Sequence, residues 1–268
     1  MEVLKNTALC RTSVKTTDMS ASVCFYVTHG LCLCLGLLCV LFVSCWCSQW
    51  RGGFAWDGSG QQFNWHPVLM VSGLVVVYGV AAVMYRVPFT WKQRKYTWKL
   101  VHAGLMILAL LLSILGLCAV FDFHRAAKIP DLYSLHSWVG ICTVVMFAFQ
   151  WVLGLVGFLL PCSPLWFRAI LKPVHVWLGQ AVLILTLTSC ISGINEKLFF
   201  SLKGATGDAY DSLPVEAMFA NFLGIIIVAF GMVVFAILSN NQWQRPETNT
   251  SAYPLLGQHE DKEQAQGT

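Results

Sequence analysis

The sequence predicts an all-α membrane protein with six transmembrane helices. Of its 268 residues, 57% are hydrophobic and only 11% are Asp, Glu, Lys or Arg, whereas soluble domains contain about 25% charged residues. Six stretches lack all four charged types, and each reaches the roughly 20 residues that a helix needs to cross a hydrocarbon layer. A soluble enzyme is therefore excluded. The small net charge of +4 also argues against binding nucleic acid.

The predicted spans follow one another from residue 23 to residue 239. Span 1 is too long for a signal-peptide core and no small-residue cleavage site follows it, so we expect it to be retained. Residues 1–22 form an N-terminal segment, and residues 240–268 form a polar, flexible tail. The six apolar stretches are residues 23–47, 66–85, 100–121, 135–160, 174–194 and 217–238.

The loops between the spans predict the orientation, because Lys and Arg are retained on the cytosolic side of a membrane. The loops after spans 1, 3 and 5 balance basic with acidic residues. The loops after spans 2 and 4 contain basic residues only, namely Arg86, Lys92, Arg94, Lys95 and Lys99 in one and Arg168 and Lys172 in the other. We therefore expect these two loops and both termini to be cytosolic.

Histidine is nearly the only ionisable residue type inside the spans, where such side chains are costly and usually functional. Four histidines lie at or near the N-terminal ends of spans 2 to 5: His66, His102, His136 and His175. Successive spans run in opposite directions, so the N-terminal ends alternate between the two faces. Only the pairs His66 with His136, toward the outer face, and His102 with His175, toward the cytosol, keep both partners at one depth.

Each predicted histidine pair suits a planar metal group better than a bare ion. A zinc ion takes three or four protein ligands, and the spans contain no carboxylate to complete such a set. Two imidazoles on facing helices instead fit the axial positions of a haem, which then transfers electrons rather than binding oxygen. No CxxCH motif attaches a haem covalently. We therefore predict two non-covalent b haems inside a central four-helix bundle of spans 2 to 5.

Glycines support this prediction. One follows each histidine at helical range, where a missing Cβ is expected to let a macrocycle approach the helix. These are Gly73, Gly104, Gly140 and Gly179.

Beyond the histidines, the sequence resembles the cytochrome b561 family of six-helix, two-haem, ascorbate-dependent transmembrane oxidoreductases. The similar segments lie between residues 63 and 202 and include FNWHPVLM, KLVHAGL, LYSLHSWVG and INEKLFFSL. Two flanking segments, WRGGFAWDGS and LPVEAMFAN, resemble the lysosomal members most. The resemblance implies a homodimer that passes electrons from cytosolic ascorbate to a ferric chelate or the ascorbyl radical on the far side.

The resemblance also implies roles for individual residues. His66 and His136 are similar to the ligands of the outer haem, and His102 and His175 to those of the cytoplasmic haem, with Arg86 near its propionates. His124 is similar to a residue near the outer substrate or metal. The residues expected beside the outer haem are Asp131, Leu132, Tyr133, Ser134 and Glu196. The expected ascorbate site consists of Lys95, Lys99 and Arg168.

Alternative functions stay open at this point. The same residues would suit a protein that regenerates lumenal ascorbate from its radical, a non-catalytic haem carrier or sensor, or a carrier whose histidines relay protons. Residues 253–256, YPLL, fit the YxxΦ form of a sorting signal. Together with the resemblance, this motif predicts a multi-pass protein of the late endosome or lysosome.

Overall fold

A computed structural model describes the backbone of residues 2–204 and 209–246 and the side chains of residues 22–204 and 209–246. These residues are almost entirely helical, and six of the helices are long and apolar enough to cross a membrane. The predicted fold class is confirmed. Residues 247–268, which contain the predicted sorting motif, lie outside the described residues.

Five of the six spans are longer than the uncharged stretches that predicted them, and span 4 ends one residue earlier than predicted. Their bounds are Ser22–Trp50, Gly60–Arg86, Lys95–Ala127, Leu135–Leu159, Leu165–Ser201 and Val215–Ser239 for spans 1 to 6. Span 1 is the apolar part of a continuous helix, Glu2–Trp50, so the predicted N-terminal segment is helical from Glu2 onward. Long basic side chains can extend from a helix end toward water, so the first charged residue does not end the helix.

Two of the spans change helix type along their length. Span 2 contains a π-helical segment, Val71–Val77, and span 4 ends in another, Leu155–Leu159. Span 5 continues through Pro173, where the sequence analysis placed its boundary. Because span 3 begins at Lys95 and span 5 at Leu165, His102 and His175 lie well inside their helices rather than in the first turn.

Spans 2 to 5 form the predicted four-helix bundle, in which each helix packs against its neighbours in chain order and span 5 closes the ring against span 2. Spans 1 and 6 pack against each other and against the outside of spans 2 and 5. Span 6 lies close to span 2 at Gly79, where a Cβ would stand 2.7 Å from the Phe230 ring. Spans 1 and 6 therefore cover one side of the bundle.

The two ends of the bundle differ in charge. The basic end carries the loop of residues 87–94, the turn of residues 160–164 and the exit of span 6. The other end, called the opposite end below, carries the loops that connect spans 1 and 2, 3 and 4, and 5 and 6.

A buried ion pair lies at the opposite end. Arg51 pairs with Glu216, whose Oε1 also accepts a hydrogen bond of 2.8 Å from Trp46. Burial lowers the pKa of the Arg51 guanidinium, which still pairs with the carboxylate.

Candidate functional site

The structure brings the four predicted histidines together as two pairs. The ring centres of His66 and His136 are 6.1 Å apart, with an angle of 86° between the ring planes. Those of His102 and His175 are 6.5 Å apart, with an angle of 69°. Both pairs join facing helices of the bundle, spans 2 and 4 in the first case and spans 3 and 5 in the second.

The separation within each pair fits two imidazoles on opposite sides of one metal. A metal–imidazole nitrogen bond is about 2 Å long, so the two ring centres in such a complex lie about 6 Å apart. In residues 22–204 and 209–246, no three His, Cys, Asp or Glu side chains converge as a bare metal ion would require. The donor set is thus suited to a group that brings its own equatorial ligands, as haem does.

Backbone carbonyls fix the ring orientation of three histidines. The Nδ1 atoms of His66, His102 and His136 lie 3.1, 2.9 and 2.9 Å from the carbonyl oxygens of Gly116, Ala81 and Ser189 respectively. A carbonyl oxygen can only accept, so Nδ1 carries the proton and donates it. The Nε2 atom of each ring is then unprotonated and available to a metal, the arrangement typical of metal-bound histidines.

His175 is held differently. Its Nδ1 is buried without a hydrogen-bond partner, and its ring meets the edge of Phe158, with 5.3 Å between ring centres. The backbone carbonyl of His175 accepts a hydrogen bond of 2.6 Å from Gln150 of span 4. Packing, rather than a bond to Nδ1, therefore orients this ring toward His102.

Two glycines that the sequence analysis did not select lie directly against the histidine rings. A Cβ on Gly193 would stand 2.7 Å from Cε1 of His136, and a Cβ on Gly154 would stand 2.9 Å from Cε1 of His175. Each glycine therefore makes room for the ring of a paired histidine. Spacing from the histidine along the chain could not have identified these glycines, because each belongs to a different helix from the histidine that it contacts.

The predicted glycines have mixed roles. The prediction for Gly73 is wrong: a Cβ there would stand 2.9 Å from the carbonyl oxygen of Ala109, so this glycine lets spans 2 and 3 pack closely. Gly179 lies against the side chains of spans 2 and 4. Gly140 lines the cavity described next. At Gly104, no atom of the described residues beyond its own stretch of helix lies within 4 Å of the Cβ position.

A cavity of about 520 Å³ contains the pair His66 and His136. Apolar side chains from spans 1 to 6 make up most of its wall, and polar groups lie toward the opposite end of the bundle. Four residues predicted beside the outer haem line this cavity: Leu132, Tyr133, Ser134 and Glu196. The cavity is therefore a candidate pocket for the outer group.

The remaining predicted residue of this set, Asp131, contacts His124 instead. Its Oδ1 lies 3.1 Å from Nδ1 of His124, and His124 lines the cavity. Burial and the nearby Glu196 carboxylate raise the pKa of Tyr133 above that of a free phenol. Lys197, which the sequence analysis did not select, also lines the cavity, with Nζ 4.2 Å from the centre of the Phe63 ring.

The predicted ascorbate residues lie at the basic end, near the end of span 4. Nζ of Lys99 donates a hydrogen bond of 3.1 Å to the carbonyl of Phe158. Arg168 donates one of 3.0 Å to the carbonyl of Leu160. Lys95 is exposed in the first turn of span 3. Because the Phe158 ring packs against His175, this basic group adjoins the pair His102 and His175.

Arg86, which was expected near the propionates of the cytoplasmic haem, contacts the end of span 6 in this structure. Its two terminal nitrogens donate hydrogen bonds to the carbonyls of Leu238 and Asn240, at the end of span 6. The last carbonyls of a helix have no partner within the helix, so a guanidinium is well suited to bind them. Arg86 therefore ties span 2 to span 6 in this structure.

Comparison with known proteins agrees with this architecture. The profile of the family described as eukaryotic cytochrome b561 matches residues 65–201. The chain is 58% identical to the lysosomal membrane ascorbate-dependent ferrireductase of Danio rerio over 231 residues, which cover 85% of this chain and 94% of the relative.

Two further relatives are also similar to this chain over most of its length. Identity to the protein of the same name from Homo sapiens is 53% over 234 residues, covering 87% of this chain and 96% of the relative. The plasma membrane ascorbate-dependent reductase of Rattus norvegicus is 44% identical over 214 residues, covering 80% of this chain and 74% of the relative. The resemblance found in the sequence is confirmed: the chain belongs to the eukaryotic cytochrome b561 family, whose membership implies haem binding.

Proposed function

We propose that the chain transfers electrons across a membrane, from ascorbate at the basic end to a ferric chelate at the opposite end. The observation that carries this proposal is the presence of two histidine pairs with metal-compatible spacing in one bundle, one of them next to the basic group. The relatives named ascorbate-dependent ferrireductases support the same donor and acceptor.

Two b haems are the proposed cofactors. His66 and His136 would hold one, and His102 and His175 the other. At His66, His102 and His136 the unprotonated Nε2 would be the ligand atom. A haem with two imidazole ligands supplies one-electron chemistry without an open position for oxygen. The apolar wall around His66 and His136 limits the access of water, which would influence the reduction potential of a group held there.

The basic end is suited to the donor. Ascorbate is a monoanion at neutral pH, and Lys95, Lys99 and Arg168 offer cations close to the pair His102 and His175. Lys99 and Arg168 are held by carbonyls at the end of span 4, so they are ordered before the anion binds. Each ascorbate gives up one electron and becomes the ascorbyl radical, and the proton it releases stays on the basic side.

The opposite end is suited to the acceptor. His124, Tyr133 and Glu196 line the cavity there and would contact a ferric chelate beside the pair His66 and His136. Fe³⁺ takes up the electron and leaves as Fe²⁺. We further propose that the basic end faces the cytosol, that the chain is a homodimer and that it resides in the lysosomal membrane, as the names of the relatives suggest for location.

Vesicle experiments test this function. Purified protein is reconstituted into vesicles loaded with a ferric chelate, and ascorbate is added outside. We expect Fe²⁺ to appear inside, in proportion to the protein, and to disappear in His175→Ala. His29→Ala is the matched control, because His29 stacks on Phe25 of its own helix and belongs to neither pair. Absence of internal Fe²⁺ with the wild-type protein would overturn the proposal.

A further inference from the structure

The segment that follows span 6 is anchored to the bundle at the basic end. Residues Asn241–Trp243 form a 3₁₀ turn, and the Asn240 side chain accepts a hydrogen bond of 2.9 Å from the Gln242 amide. Trp243 is only 7% exposed and meets the Phe25 ring edge-on at 5.5 Å between centres. The polar composition of residues 240–268 predicts a flexible tail, but Asn241–Trp243 pack against span 1.

Arg245 extends from this anchored segment to the loop between spans 2 and 3. Its Nη2 donates hydrogen bonds of 2.8 Å to the carbonyl of Gln93 and 3.3 Å to that of Trp91. In the reverse direction, Arg86 at the end of span 2 binds the carbonyls of Leu238 and Asn240. Two guanidinium groups therefore join the C-terminal segment to the region between spans 2 and 3, one donated from each side. Hydrogen bonds from charged donors are stronger than neutral ones.

The loop that Arg245 contacts leads directly into the proposed ascorbate site. Gln93 is followed by Arg94, the residue that precedes the first turn of span 3, and then by Lys95. Four residues further along the same helix, Lys99 is fixed to the carbonyl of Phe158. Lys95 is exposed on the first turn, and none of the described residues holds it by a comparable hydrogen bond. Its position therefore depends on how well the preceding loop is ordered.

We propose that Arg245 is a positioning residue for the ascorbate site: it orders the loop of residues 87–94 and thereby places Lys95 beside Lys99 and Arg168. The inference rests on the proposed function of these three residues. A loop that is ordered before the ligand arrives does not lose conformational entropy on binding, so its order increases affinity. Arg245 itself touches neither histidine pair.

A second explanation must be separated from this one. Arg245 also adds a positive charge to the basic end. Any cation at that end would increase the attraction for an anion such as ascorbate. Lys92 provides the matched control, because it is an exposed cation on the same loop. Replacing Lys92 or Arg245 by Gln removes the same charge, but only Arg245→Gln removes the bonds to Trp91 and Gln93.

The test uses the full haem-loaded protein in lipid nanodiscs. The initial rate of haem reduction is measured against ascorbate concentration for wild type, Arg245→Gln and Lys92→Gln. For Arg245→Gln we expect the KM for ascorbate to rise about twofold, because the variant loosens one exposed ion contact without reversing its charge, with kcat and the haem absorption spectrum unchanged. Amide hydrogen exchange of residues 87–94 should accelerate in this variant only. Lys92→Gln should leave KM close to that of the wild type.

The possible results separate the explanations. Equal increases in KM for the two variants would show that charge alone matters and would overturn the inference. An unchanged KM in Arg245→Gln would also overturn it, while reduction of the wild type by ascorbate would leave the proposed function intact. A wild-type protein that ascorbate does not reduce would overturn the proposed function and the inference with it.

Discussion

Gly193 offers a sharp test of the histidine geometry, because substitution by Ala acts on one ring only. The added Cβ would stand 2.7 Å from Cε1, 3.0 Å from Nδ1 and 3.2 Å from Nε2 of His136. Non-bonded carbon atoms prefer separations of about 3.5 to 4.0 Å, so the ring must move by about 0.8 Å or more. Functional groups in a site must hold their positions to within about 0.5 Å.

The ring of His136 has little freedom to adapt. Its Nδ1 is 2.9 Å from the carbonyl oxygen of Ser189, which lies one helical turn before Gly193 on the same span. If the ring moves away from the new methyl group, it either breaks this bond or tilts, so that Nε2 no longer points toward His66. We therefore expect Gly193→Ala to lose the outer haem, about half of the total haem, while the other centre stays intact.

Haem content and reduced-minus-oxidised spectra measure this effect in purified protein. Gly154→Ala should remove the other component, because its Cβ would stand 2.9 Å from His175. Gly30→Ala is the control, since among the described residues no atom beyond its own stretch of helix lies within 4 Å of its Cβ position. If Gly193→Ala kept both spectral components, or lost the same component as Gly154→Ala, our assignment of these glycines to separate sites would be wrong.

Three further predictions concern charge and topology. Lys95→Glu should raise the ascorbate requirement by a factor of about two to five, an effect that high salt reduces, as initial rates of haem reduction at two ionic strengths will show. Glu216→Gln should lower the stability of the folded protein by about 2 kcal/mol in thermal unfolding, because Arg51 loses its buried partner. Its control is Asp122→Asn, at the exposed pair of Arg125 and Asp122, which should cost less than about 1 kcal/mol. Asn249 in the sequon NTS should carry no glycan if the tail is cytosolic, and a glycan detected there by mass spectrometry would reverse the proposed orientation.

The sequence predicted the fold and the histidine pairs because both depend on patterns that repeat along the chain. Hydropathy predicts the number of spans, and the alternation of direction predicts which of His66, His102, His136 and His175 share a depth. Helix ends were predicted less well, since span 5 begins at Leu165 and continues through Pro173. A charged residue or a proline near the membrane surface need not end a helix that neighbouring helices support.

The contacts between helices could not be predicted from the sequence. The carbonyls that hold His66, His102 and His136 belong to Gly116, Ala81 and Ser189, and every residue has such a carbonyl. Which one faces a histidine depends on the rotation and depth of the neighbouring helix. The same applies to Gly73, which was expected to face a macrocycle but contacts span 3.

The pairing of the histidines is the central claim, and spectra of four single variants test it most directly. His66→Ala and His136→Ala should each remove the same low-spin component from the reduced-minus-oxidised spectrum, and His102→Ala and His175→Ala should each remove the other. Loss of one common component in His66→Ala and His102→Ala would contradict the two-site arrangement.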